Sequence, residues 1–191
     1  SQVGIPTLVL LNHISEMKSV TTLAHEMGHG IHAEFSKSQT PFYQGHSTAV
    51  AEVASTFFEE VTFYSIFPAL AHKEQIIALH QKINDEISTI FRQIACFNFE
   101  KDLHREIRAK GTLSKEEICS LHNKHMKAYL GPIMKMEEDD GYFFVQWSHI
   151  RNFFYVYSYA FGCLVSKALY RKYKQNPAYL AEIKSFLTAG C

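Results

Sequence analysis

The sequence lacks the features that mark several broad classes of protein. None of its apolar runs approaches the roughly 18–20 residues of a membrane-spanning helix, and no secretory signal opens it. Basic and acidic residues balance at 19 each, without the basic stripe that nucleic-acid binding needs. We therefore expect neither a membrane nor a nucleic acid as a partner.

Cysteine is scarce, and no two cysteines have the C-x-x-C spacing of a redox or metal motif. Four scattered thiols favour a reduced, cytoplasmic protein over a disulfide framework. Apolar residues make up 47% of the 191 residues and charged residues 20%, which is typical of a folded globular chain. We expect one domain over residues 1–191 with a substantial core.

One segment, Thr22 to His32, carries the chemistry. It reads T-L-A-H-E-M-G-H-G-I-H and contains H-E-x-x-H. On a helix, His25 and His29 lie four positions apart on one face, so both imidazoles can reach one metal ion. Two imidazoles suit Zn²⁺, and Glu26 follows the first histidine, where it can act on water at the metal.

A zinc site with two histidines needs a third protein ligand, commonly a carboxylate. Glu52 fits this requirement, because it lies within an apolar helical run that Ser47 is placed to cap. A carboxylate on such a face is costly unless a metal or a cation pairs with it. The alternative is that Glu52 is an ordinary surface carboxylate of that helix.

These motifs, with others further along, resemble the oligoendopeptidase F branch of the thimet oligopeptidase family of zinc peptidases. The residues that carry the resemblance follow the order of the family's own motifs. They are T-L-A-H-E-M-G-H-G-I-H, A-E-V-A-S-T-F-F-E, Ile90 to Gln93, Phe99-Glu100, His104, Gly111 to Leu113, Tyr129 to Gly131, Trp147, His149-Ile150, Phe154 to Ala160 and Gly162.

The resemblance implies a zincin-type fold, Zn²⁺ on the two histidines and Glu52, and Glu26 as the general base. It also implies that His149, Tyr155 and Tyr159 bind substrate and stabilise the oxyanion of a tetrahedral intermediate. The two tyrosines are four residues apart, so on a helix their hydroxyls emerge together. Plain aromatic packing is the alternative for each tyrosine, and a contribution from Tyr157 is left open.

Hydrophobic periodicity predicts a mainly α fold with one short strand region at Pro6–Leu11. An apolar stripe at three- and four-residue steps runs through one long helical stretch. The predicted helices cover residues 15–36, 47–67, 72–110, 115–129 and 147–174, with a last one from Pro177 to about Ala189.

The expected function is zinc-dependent endopeptidase action on short oligopeptides. Family members are much longer than this chain, so we expect a catalytic fragment of a longer protein. Its missing N-terminal part, or self-association, would cover apolar surface. Two alternatives remain open, a zinc protease acting on proteins and a helical zinc-binding fragment without turnover.

Overall fold

The computed structural model describes residues 5–14 and 16–190 and is mainly helical, as predicted. Its helices in chain order are α1 (Met17–Ser36), α2 (Thr48–Ile66), α3 (His72–Ile87), α4 (Gln93–Lys110), α5 (Lys115–Leu130), α6 (Tyr157–Gln175) and α7 (Leu180–Thr188). A π-helical turn (Ser88–Arg92) joins α3 to α4. Short 3₁₀ turns lie at Pro41–Tyr43, Phe67–Ala69, Glu138–Val145, Ser148–Asn152 and Pro177–Tyr179.

Two of these helices begin where the capping residues predict. The hydroxyl of Ser47 accepts a hydrogen bond from the backbone N–H of Val50 at the start of α2. Ser114 and Glu117 form both bonds of a capping box at the start of α5. Gly111 caps the C-terminal end of α4, with a φ of 86°.

The strand predicted at Pro6–Leu11 is absent, because no described residue forms a strand. A strand needs a partner to satisfy its backbone groups, and the segment instead bonds to α1 side chains. The backbone N–H of Thr7 donates to the Glu34 carboxylate at 3.0 Å. Leu8 and Leu10 are 85% and 97% exposed, so the apolar run that suggested a buried strand is not buried.

The chain divides into two compact units, residues 1–82 with 161–191, and residues 83–160. In the first unit, α1 packs on α2, and a core of Ala54, Phe57, Ile183 and Leu187 joins α2 to α7. The prediction of a single domain stays a prediction.

The second unit is built on α4, α5 and the 3₁₀ turns that follow them. Its core residues are Ala95, Cys96, Phe99, Leu103, Met126, Trp147 and Val156. The structure describes three cysteines, Cys96, Cys119 and Cys163, and all three are buried. No helix among the described residues has the length and apolar character needed to cross a membrane.

The helix predicted from Trp147 to Lys174 is broken in the structure. Phe153 and Phe154 have φ values of 43° and 56°, and α6 begins only at Tyr157. Aromatic residues rarely adopt positive φ, and each such residue costs about 1–3 kcal/mol unless its surroundings hold it. The periodicity of the sequence continues through this point, so it gives no sign of the break.

A buried histidine near the end of α1 packs against the segment before α2 and against α7 in the first unit. His32 is fully buried, and its ring stacks on that of His46 at 3.6 Å and on that of Phe186 at 5.9 Å. Neither ring nitrogen of His32 has a hydrogen-bond partner among the described residues. Burial, helped by the neighbouring His46, lowers the pKa of His32 to about 4.

This pKa predicts a loss of stability in acid. As the pH falls through 6.5 toward 4, the unfolded chain protonates at His32 and the folded chain does not, so the free energy of unfolding falls. Between pH 7 and pH 4 the loss from this residue is roughly 3 kcal/mol. Urea unfolding at several pH values should show a shallower decline for His32→Phe than for the wild type. Equal slopes would contradict the prediction.

Candidate metal centre

The donor atoms of three side chains converge between α1 and α2 in the first unit. One ligand atom each from His25, His29 and Glu52 lies within 4.8 Å of the others. The Nε2 atom of His25 is 3.6 Å from the Oε2 atom of Glu52. Ligands around a tetrahedral zinc ion, at about 2.0–2.2 Å from it, are roughly 3.4 Å apart. The donor set and its spacing therefore fit a zinc ion after small adjustments.

The helical spacing of the motif explains the histidine pair. Their rings meet edge to face with centroids 4.8 Å apart, as expected for positions i and i+4. A glycine on α1, Gly28, lets α2 come close to α1 at this point. A Cβ atom on Gly28 would lie 2.7 Å from the Cα of Ser55, so only a residue without a side chain allows this approach.

The Glu52 carboxylate is buried, with 6% of the residue exposed, which excludes the surface-carboxylate alternative. Its Oε2 atom accepts a hydrogen bond from the Ser55 hydroxyl at 3.1 Å. Among the described residues, no lysine or arginine forms an ion pair with it. A buried carboxylate facing two imidazoles is costly unless a cation binds there.

Glu59 is a residue that the sequence reasoning missed. Its Oε1 atom lies 2.5 Å from the Nδ1 atom of His25, which therefore donates its proton to the carboxylate. This bond leaves the Nε2 lone pair of His25 directed to the metal position, an arrangement usual for histidine ligands. Glu59 lies two helical turns after Glu52, on the same face of α2, and that spacing was the available signal.

Electrostatics distinguish the two imidazoles. Burial lowers the pKa of His25, but the hydrogen bond and the charge of Glu59 outweigh it, and the net result is a raised pKa. Burial and the neighbouring His25 lower the pKa of His29. Glu26 is outside the converging group of three, yet its charge favours the protonated form of both imidazoles.

The other predicted residues meet in the second unit. The Nε2 atom of His149 is 3.0 Å from the hydroxyl of Tyr159, which donates in turn toward the hydroxyl of Tyr155 at 3.5 Å. The rings of His149 and Tyr155 stack at 5.4 Å. Tyr157 is half exposed and its ring contacts Phe97, away from the hydroxyl group of the other two tyrosines.

His149 and Tyr155 are not on a helix with Tyr159, contrary to prediction. His149 belongs to the 3₁₀ turn Ser148–Asn152, and Tyr155 precedes α6. The backbone N–H and the hydroxyl of Ser158 donate to the Tyr155 carbonyl at 3.1 and 2.6 Å, which forms the first turn before the helix. The side chains of Tyr155 and Tyr159 still meet, with ring centroids 5.4 Å apart.

Gly162 on α6 packs directly against Glu52, the candidate third metal ligand. A Cβ atom there would lie 2.7 Å from the Cβ and 3.0 Å from the carbonyl carbon of Glu52. The hydroxyl of Thr56 also donates to the Gly162 carbonyl at 3.2 Å, so α2 and α6 are in contact here.

Gly162→Ala is therefore expected to displace α2 at Glu52. The overpacked contact should cost about 1–3 kcal/mol of unfolding free energy and weaken metal binding at the same time. Gly45→Ala is the matched control, since nothing lies within 4 Å of a Cβ atom added at Gly45. Thermal unfolding and zinc titration of both variants test this, and equal zinc affinity in the two would contradict it.

Comparisons with known proteins agree on one family. The model of peptidase family M3 matches residues 6–191. The chain is 33% identical over 188 residues to an oligoendopeptidase F homolog of Borreliella burgdorferi, covering 95% of this chain and 32% of that protein. It is 28% identical over 193 residues to the oligopeptidase PepF of Bacillus subtilis, covering 98% of this chain and 28% of the relative.

A solved structure is also similar, the crystal structure of oligoendopeptidase-F from Enterococcus faecium. Its TM-score is 0.76 at 25% identity, over 92% of this chain and 32% of that one. The chain therefore spans about a third of the length of the relatives that it matches.

Proposed function

The chain belongs to peptidase family M3, and from this we propose that the protein containing it is a zinc-dependent endopeptidase that cleaves short oligopeptides. The observation that carries the proposal is the convergence of His25, His29 and Glu52, whose donor atoms lie within 4.8 Å of one another. The names of the relatives, oligoendopeptidase F and oligopeptidase, support the substrate class.

The site residues of the first unit have distinct roles in this proposal. His25, His29 and Glu52 hold the ion, and Glu59 fixes the tautomer of His25. An ion held by these residues would supply a lowered pKa of water and polarisation of the scissile carbonyl. The Glu26 carboxylate accepts the proton of the attacking water and passes it to the leaving amine.

The proposal assigns oxyanion stabilisation and substrate binding to His149, Tyr155 and Tyr159. Their hydrogen-bonded arrangement supports this role, because preorganised donors cost little reorganisation when charge develops on the substrate. The ring stacking of His149 on Tyr155 limits the motion of both side chains.

The proposal includes a partner that covers exposed apolar side chains. Along α3, the residues Ile76, Ile77, Ile83 and Ile87 are all exposed. Apolar surface of this kind marks association. We propose that the remaining part of the longer protein, or a second copy of this chain, covers it. Light scattering of residues 1–191 alone tests this, and a monodisperse monomer with the activity of the whole protein would contradict it.

The function is tested by measuring zinc content together with peptide cleavage in the complete natural protein. We expect about one zinc ion per chain, cleavage of a short fluorogenic peptide and no cleavage of casein. Cleavage of casein would indicate a protease acting on proteins. Zinc binding without any cleavage would indicate a metal-binding module, and absence of zinc would contradict the proposal.

A further inference from the structure

The turn before α6 has an unusual backbone. Phe153 has φ 43° and ψ 107°, outside even the left-handed helical region, and Phe154 follows with φ 56°. Neither is glycine, asparagine or aspartate, the residues that tolerate such angles. A turn of this kind persists only when its surroundings hold it, and such turns cluster at functional sites.

Glu100 on α4 holds the backbone of this turn. It is fully buried, and its Oε1 atom accepts a hydrogen bond from the backbone N–H of Phe154 at 2.7 Å. Its Oε2 atom is also buried, with no hydrogen-bond partner among the described residues. An unpaired buried carboxyl oxygen costs stability. The hydrogen bond to Phe154 offsets part of this cost and fixes the turn.

Two neighbours of Glu100 hold the Phe154 side chain. The His104 ring lies 5.0 Å from the Phe154 ring, and the Phe97 ring lies 5.9 Å from it. Phe97, Glu100 and His104 are three and four residues apart, so they share one face of α4. One face of this helix thus fixes both the backbone and the ring of Phe154.

The turn leads directly into the hydroxyl cluster. Tyr155 follows Phe154, and its carbonyl accepts the bonds from Ser158 that precede α6. Rotation of the turn would therefore move Tyr155, and through α6 also Tyr159 and its contact with His149.

We propose that Glu100 is a positioning residue: by holding the Phe154 N–H, it maintains the strained turn that orients Tyr155 and Tyr159 toward substrate. The assignment of a substrate to these tyrosines rests on the proposed function. The hydrogen bond, and not the carboxylate charge, performs the task.

Three variants of the complete natural protein test this. Glu100→Ala loses the acceptor, and we expect kcat for a fluorogenic peptide to fall about 10²-fold, the effect of a misplacement of about 1 Å, with little change in KM. Glu100→Gln keeps an acceptor oxygen and should stay within about threefold of the wild type, since the N–H···O bond is retained. Phe153→Gly added to Glu100→Ala should restore about tenfold, because glycine adopts the turn without strain. Phe153 is 68% exposed, so its removal disturbs little packing.

Met126→Ala is the control for general destabilisation, since Met126 is a buried core residue of the same unit on α5. It should lower Tm without the loss in kcat. If Glu100→Ala fails to fold, Glu100→Asp replaces it, because the shorter side chain cannot reach the turn, and it should behave like the alanine variant.

The side-chain ¹⁵N resonances of His149 in histidine-labelled protein give a readout independent of catalysis. They report the contact with Tyr159, and they should shift in Glu100→Ala and not in Glu100→Gln or Met126→Ala. Unchanged kcat and unchanged resonances in Glu100→Ala would overturn the proposal. Equal losses in the alanine and glutamine variants, without rescue by glycine, would also overturn it. Shifted resonances in a protein whose wild type cleaves no peptide would overturn the proposed function and leave the positioning by Glu100 standing.

Discussion

The Glu26→Gln variant is expected to bind as much zinc as the wild type and to cleave peptides about 10²–10⁴-fold more slowly. Glutamine has nearly the same shape as glutamate but cannot accept the proton of the attacking water. Glu26 lies outside the group of three converging donors, so its neutralisation removes no ligand. Its charge favours the protonated form of both imidazoles, His25 and His29.

Glu34→Gln is the matched control, because it removes a negative charge from an exposed position on the same helix. It should leave kcat within about threefold, as surface charges contribute little. Zinc content by mass spectrometry and steady-state kinetics give the two readouts. A loss of activity below tenfold in Glu26→Gln would count against a general base, and a loss of zinc would make Glu26 a ligand.

The second large effect is expected at Glu52. Glu52→Gln should reduce zinc affinity more than 100-fold and abolish cleavage at ordinary zinc concentrations, since a neutral amide replaces the only carboxylate in the converging group. Glu59→Gln should reduce affinity by about 10–100-fold, the usual cost of losing a partner of a histidine ligand. Excess zinc should restore activity to Glu59→Gln at lower concentrations than to Glu52→Gln.

Competition with a chelator of known affinity measures both variants on one scale. The order of the two losses is the decisive result. A smaller loss for Glu52→Gln than for Glu59→Gln would mean that the third ligand is Glu59 or another residue. Circular dichroism should show unchanged helix content for both variants, which separates loss of metal from loss of fold.

Local rules predicted the parts of the site that lie within single helices. The four-residue spacing predicted that His25 and His29 share one face of a helix. The cap at Ser47 predicted where α2 begins, and Glu52 lies inside that helix. These predictions depend on residues close in sequence. Glu59 also lay at a helical spacing, but its role depends on which ring nitrogen of His25 faces it, and only tertiary structure determines that.

The apolar stripe from α3 into α4 shows where periodicity fails. The pattern predicts one buried face, yet Ile76, Ile83, Ile87 and Ile94 are exposed while Leu103 is buried. The π-helical turn Ser88–Arg92 interrupts the stripe and adds a residue to one turn, so later side chains rotate relative to a regular α-helix. Composition carries no mark of such a turn.

The break at Phe153–Phe154 was equally invisible, because its cause lies far away in sequence. Two phenylalanines favour continuation of a regular element and not a positive φ. The hydrogen bond from Phe154 to Glu100 spans 54 residues of chain and stabilises the turn from outside. Only contacts between distant residues could have revealed it.

The three candidate metal ligands are close together in sequence, which affects the order in which parts of the chain fold. All three lie within residues 25–52, on two successive helices that residues 37–47 connect. Contacts between near neighbours in sequence form quickly, since little loop entropy opposes them. The helical hairpin is therefore expected to assemble early, and an ion bound between its helices would stabilise that intermediate. Gly162 is contributed by a segment more than 100 residues later, so the surface that packs on Glu52 would reach a hairpin that is already formed.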